Sequence, residues 1–121
     1  MADRMLFLGW GPVVRGREER ALEVFDESMG LFGRLQQGGR IEAVDVALLE
    51  PHAGALQGYI ELRGTAEQMD AVRQDDEFRR LLIDVGLIVD DLRVVGGFTG
   101  NGVAEQMDRY RDAVGRLPAH A

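Results

Sequence analysis

The residues best suited to chemistry in this chain lie in two neighbouring stretches, RIEAVDVALLE at 40–50 and ALQGYIELR at 55–63. Both are strand-like, and Pro51, His52, Ala53 and Gly54 between them are turn formers, which predicts an antiparallel hairpin. In the register that pairs Val44 with Ile60, Val46 with Gly58 and Leu48 with Leu56, one apolar set shares a face. The opposite face then sets Asp45 across from Tyr59, with Gln57 and Glu61 flanking on the same strand. A carboxylate and a phenol within hydrogen-bonding reach can exchange a proton, and burial would raise the carboxylate pKa toward a range useful for general acid–base work. Asp45, Tyr59 and Glu61 are therefore the candidate catalytic residues. The competing expectation is a polar network that only fixes the register of an interface.

Other groups narrow the chemistry further. The stretch GWGPVVRGREE at 9–19 partly matches a dinucleotide fingerprint, and Gly11 to Gly16 has the spacing of a P-loop. Arg17 and Glu18 stand where lysine and a hydroxyl residue are required, Pro12 removes a backbone donor, and Glu18 and Glu19 put negative charge at the helix start. A plain joint between strand and helix is the expectation. The chain has no cysteine, which excludes thiolate catalysis and disulfides, and no lysine, which excludes Schiff-base chemistry. Its one serine, Ser28, lies within a helical pattern rather than on a nucleophile elbow. His52 in a turn and His120 in the tail are too far apart in kind and place to predict a metal site, and Asp75, Asp76 and Glu77 lack the alternation of a calcium loop. No metal and no cofactor are expected.

A chain of 121 residues suits one domain burying roughly two-thirds of its unfolded surface. The domain is expected to span residues 1–121, with 1–4 and 118–121 as flexible ends. The formal charge of −7, with arginines scattered among acids, argues against a nucleic-acid partner. MADRM is too short for a signal peptide, and the apolar run LLIDVGLIV at 81–89 is short and interrupted by Asp84. A soluble cytoplasmic protein with no membrane partner is expected.

The elements that must position these residues follow from period. Residues 5–14 read as a first strand, whose Trp10 lines a pocket or packs under a helix, because the strand is apolar on both faces. Gly9 and Gly11 on it leave room for a ligand or ease close packing. Leu22, Phe25, Met29, Phe32 and Leu35 then recur at three and four, which predicts a helix from Arg17 to Gly38. After the hairpin, Thr65 and Gln68 have capping-box spacing and open a second helix, broken near Asp75 and Asp76 and resumed by Phe78, Leu81, Leu82 and Val85. Residues 91–99 read as a fourth strand, and Asn101 as the cap of a last helix carrying Val103, Met107, Tyr110, Val114 and Leu117 up to Pro118. The repeated AEQMD at 66–70 and 104–108 has unmatched flanks and carries no fold conclusion.

The order βαββαβ predicts an α+β fold: a four-stranded antiparallel sheet, two helices on one face, and an extra C-terminal helix. The bare face, with Ile41, Ala43, Asp45, Ala47 and Leu49 beside Ala55, Gln57, Tyr59, Glu61 and Arg63, is too apolar along one strand to be left in water. A second copy laid sheet to sheet would cover it and enclose a cavity. On this layout, on the joint VVRGREERALEVF and on the broken helix ending DDEFRRLLIDVG, the chain resembles the dimeric α+β barrel superfamily, which includes antibiotic-biosynthesis-type monooxygenases. The resemblance implies a ferredoxin-like fold and a homodimer whose packed sheets frame a small-molecule pocket, without transferring an activity. The leading expectation is a small apolar or aromatic molecule bound between the sheets, and the enzymatic version of it is a cofactor-independent activity of monooxygenase type. Trp10, Gln57 and Asn101 are the pocket-lining candidates it suggests beside Asp45, Tyr59 and Glu61. Haem-degrading relatives place a histidine on the second helix, and residues 65–86 contain none. The alternative is a non-catalytic module whose packed faces serve only assembly.

Overall fold

A computed structural model describes residues 2–118. The elements run β1 (Arg4–Trp10), α1 (Glu18–Gln37), β2 (Ala43–Leu48), β3 (Gly58–Gly64), α2 (Ala66–Gln74), α3 (Asp76–Gly86), β4 (Arg93–Phe98) and α4 (Asn101–Gly115). The strands form one antiparallel sheet in the order β2-β3-β1-β4, so the N-terminal strand is central and pairs with both β3 and β4. Leu6, Leu8, Ile60 and Leu62 project from one face of this sheet into a single core with Val24, Leu31, Phe32 and Leu35 of α1, Met69 and Val72 of α2, and Phe78 and Leu81 of α3. The expected α+β layout is what the chain adopts: a βαββαβ unit with its second helix broken, followed by one more helix. Met1 and residues 119–121, including His120, lie outside the described residues.

Local chemistry sets the helix boundaries. Thr65 Oγ1 accepts the Gln68 N–H at 3.1 Å while Gln68 Oε1 accepts the Thr65 N–H at 2.8 Å, the reciprocal capping box that the spacing predicts. Asp75 sits in extended backbone between α2 and α3 and caps the latter, its Oδ2 accepting the Phe78 N–H at 3.0 Å. The last helix differs from expectation at its start. Gly100, with φ of 52°, occupies the N-cap and Asn101 is the first helical residue. A positive φ at the cap favours glycine over asparagine, and the chain turns there before the helix begins.

The hairpin register also differs. Val44 faces Leu62, Val46 faces Ile60 and Leu48 faces Gly58, two residues along β3 from the expected pairing. Asp45 therefore faces Glu61, and Tyr59 faces Ala47. The cause is a longer connection over residues 49–57, which keeps Leu56 and Gln57 out of β3. It is tied down by Leu49 N–H to Gln57 O (2.9 Å), Gln57 N–H to Trp10 O (2.8 Å), and the His52 ring, which takes the Gly54 N–H at Nδ1 (2.9 Å) and meets Leu56 O through Nε2 (2.6 Å). Because side chains alternate with period two, a slip of two leaves every residue of the paired strands on its expected face and changes only its neighbours. Ile41 is the exception to the expected bare face: it precedes β2, is 1% exposed and belongs to the core.

Candidate functional site

Between the helix-covered face of the sheet and the pair α1 and α3 lies a cavity of about 520 Å³. Leu8, Trp10 and Ile60 contribute from the sheet, Ala21, Phe25, Ser28 and Phe32 from α1, Leu81, Leu82 and Val85 from α3, and Ile88, Val89 and Leu92 from the segment leading to β4. Leu22 and Leu48, which also line it, are each 71% exposed and mark where it opens to solvent. The volume falls within the range of small-molecule sites, and the lining is the apolar, aromatic-bearing kind that removes a ligand from water.

The sequence of α1 explains why the space is there. Its apolar sector is wider than one sheet can cover. Val24, Ser28, Leu31, Phe32 and Leu35 turn into the core, so the buried face is rotated from the expected stripe, and Leu22 and Phe25 are left facing the cavity. Trp10 stands on this side, its ring edge-on to Phe25 with centroids 6.4 Å apart. The stretch 11–14, whose Val13 also lines the cavity, pairs with 88–90: Gly11 N–H donates to Asp90 O (2.8 Å), Asp90 N–H to Pro12 O (2.9 Å) and Val14 N–H to Ile88 O (2.9 Å). A side chain on Gly11 would put a Cβ 2.6 Å from Asp90 O, so its role is close packing, the second of the two expected for it. Nearby, the Gly16 N–H donates to Glu18 Oε1 at 3.0 Å. The chain's own carboxylate thus takes the place a phosphate oxygen would need, and 9–19 is a joint.

The other sequence-predicted residues are spread over the opposite face and its margins. Asp45 and Glu61 form a cross-strand pair on the open face, with Arg63 beside them. Arg63 Nη2 binds the Asp45 carboxylate, its Nε lies 3.9 Å from Glu61 Oε1, and that Nε is buried with no hydrogen-bond partner. Tyr59 stacks on Phe7 with centroids 5.1 Å apart, across β1 at Gly9. Gln57 lies in the hairpin connection, its amide donating to Gly54 O and Ala55 O at 3.3 and 3.4 Å. Asn101 opens α4. The fold brings Asp45, Glu61 and Tyr59 to one face, leaves Gln57 and Asn101 at loop and helix start, and puts Trp10 on the other side of the sheet.

Two members of the site escaped sequence reasoning. Arg63, the cation between the paired carboxylates, is visible only once the register is known. Ser28 carries a clear signal in the sequence: a lone hydroxyl at a position where the stripe of α1 calls for an apolar residue.

No family model and no curated protein matches the sequence. Solved structures do resemble the fold. A dimeric protein of unknown function and ferredoxin-like fold from Bacteroides fragilis aligns with a TM-score of 0.58 at 9% identity, over 79% of this chain and 96% of that one. An ethyl tert-butyl ether (EthD) family protein from Bacillus halodurans aligns at 0.62 and 12% identity, covering 83% and 100%. A conserved protein from Methanosarcina mazei aligns at 0.56 and 11%, covering 80% and 91%. At such identities the likeness speaks for architecture alone: this chain has the ferredoxin-like fold.

Proposed function

We propose that the protein binds a small, predominantly apolar or aromatic molecule in the cavity between α1, α3 and the sheet. The observation that carries this reading is a cavity of about 520 Å³ walled by aliphatic and aromatic side chains and open beside Leu22 and Leu48. Apolar surface moved from water into it gains roughly 25 cal/mol per Å², enough for micromolar affinity at two fused or linked rings. Binding is favoured over catalysis in this space because Glu18 is the one titratable residue among those lining it, and its Oε1 is engaged by Gly16.

The chain supplies its own reporter. Trp10 is its sole tryptophan and lines the cavity. Titration with N-phenyl-1-naphthylamine is expected to quench Trp10 emission by energy transfer, with a Kd in the micromolar range. Ala21→Phe, which fills the space from α1, is expected to weaken binding at least tenfold and to leave the melting temperature within a few degrees. Wild-type protein that leaves the dye free, or an Ala21→Phe variant that binds it undiminished, would remove the cavity from consideration.

A second reading concerns the opposite face, and two unburied apolar surfaces favour it. Val95, 52% exposed, stands on the open face of the sheet beside Phe7. On α4, Val103, Met107, Tyr110 and Val114 are 45–65% exposed. We propose that a second copy covers these surfaces by packing sheet to sheet, as a homodimer. The dimeric state of the Bacteroides fragilis protein is in line with this. Asp45, Tyr59, Glu61 and Arg63 would then be enclosed together between the two sheets, the setting that the monooxygenase-type acid–base role requires. A closed interface with these groups mutually paired would instead make them determinants of assembly.

A further inference from the structure

We infer that the molecule this cavity takes carries one hydrogen-bond donor, a hydroxyl or an amine N–H, and gives it to Ser28. The inference rests on the cavity reading above and narrows it to a class: aromatic alcohols and amines rather than hydrocarbons or acids. Ser28 is 5% exposed, is the one buried polar residue among those described, and lines the cavity from the middle of α1. Its own proton is already placed, because Oγ donates to Val24 O one turn back at 2.7 Å. What remains on Oγ is lone pairs, so toward a ligand this hydroxyl can only accept. A hydrocarbon leaves that acceptor unused, and a carboxylate brings a second acceptor to a cavity with no cationic side chain and with Glu18 at its margin. A donor on an otherwise apolar ring system meets the buried acceptor that Ser28 offers from the middle of α1.

A serine that bonds back to the carbonyl four residues earlier is also a common helical habit with no ligand in view. The two accounts part when ligand and residue are varied together. The probes are 2-naphthol and 2-methylnaphthalene, which differ by a hydroxyl in place of a methyl, titrated by calorimetry into the full chain and into Ser28→Ala and Ser28→Thr. The preference for 2-naphthol over 2-methylnaphthalene is expected to fall about tenfold in Ser28→Ala, through weaker naphthol binding alone, and to survive in Ser28→Thr, which keeps the oxygen. Steady affinity for 2-methylnaphthalene reports an intact cavity in each variant. 2-Naphthoate is expected to bind wild type at least tenfold more weakly than 2-naphthol. A preference equal in wild type and both variants overturns the inference while the cavity reading stands. Failure of both probes to bind wild type overturns the two together.

Discussion

One carboxylate, that of Asp75, shows how much a single residue joins. Its Oδ2 takes the Phe78 N–H that opens α3, and its Oδ1 takes Arg40 Nη2 at 3.0 Å, tying the break in the second helix to the chain leaving α1. The Phe78 backbone bond first, and Arg40 after it, hold this carboxyl below its ordinary value of 3.8. A group whose folded pKa lies below its unfolded one adds stability that is present above the unfolded value and is lost as pH falls through the folded value. Asp75→Ala is therefore expected to cost about 1 kcal/mol at pH 7, the usual worth of a cap, and the gap should begin to narrow as pH falls below about 4. Urea melts of both proteins at pH 7 and pH 3 check this; a gap unchanged at pH 3 would assign the cost to something other than ionised Asp75. Legibility at this scale follows locality. Thr65 and Gln68 were readable because a capping box is complete within one turn. Asp75 was readable as a break but not as a cap bound to Arg40, since that partner is brought in by the fold. Ser28 was plain in the sequence, yet its meaning depends on a cavity that no spacing announces.

Elements were legible to the extent that one side of each is repetitive. The period of three and four along α1 identified a helix, but its sector of apolar residues was broad enough to hide the rotation that gives Val24 and Leu31 to the core and Leu22 to the cavity. In the hairpin, alternation identified the faces and was blind to a slip of two, so the partner of Asp45 had to come from the loop at 49–57. α4 poses the sharper question, for Gly102 is its one buried residue and it docks by backbone rather than by its stripe. A Cβ on Gly102 would lie 2.3 Å from Asp3 O. Alanine ordinarily improves a helix over glycine by up to about 1 kcal/mol, yet here overpacking reverses the sign. Gly102→Ala is expected to destabilise by about 1–2 kcal/mol, whereas Gly33→Ala in α1, where nothing lies within 4 Å, should stabilise by about 0.5–1 kcal/mol. Paired thermal melts give the two signs directly.

For the molecule as a whole, the open sheet face and the stripe of α4 are the surfaces on which the proposed homodimer depends. A 15-residue helix with so little tertiary support is marginal alone, which is the energetic case for a neighbour. Sedimentation at micromolar concentration is expected to give twice the 13.4 kDa of one chain. Val95→Asp, which sets a charge in the middle of the proposed interface, should shift this to monomer while the Trp10 titration is little changed, because the cavity lies on the other face of the sheet. A stable wild-type monomer would leave both apolar surfaces without their proposed partner. Overall architecture was legible because the order of elements admits few topologies, and the N-terminal strand falls at the centre of the sheet by the usual rules of connection.

That central position has a consequence during synthesis. β1 leaves the ribosome before its neighbours, Gly58–Gly64 and then Arg93–Phe98, so its second edge stays open until β4 has emerged. Until then Met5, Leu6, Phe7 and Leu8 form an apolar strand with unpaired backbone, the kind of segment that chaperones hold and that aggregates when they do not. Completing the sheet requires closing loops of this length, which places folding in the millisecond-to-second range typical of long-range pairings rather than the microseconds of a helical bundle. A nascent chain arrested before Arg93 would be a trapped three-stranded intermediate, with β1 as its exposed edge.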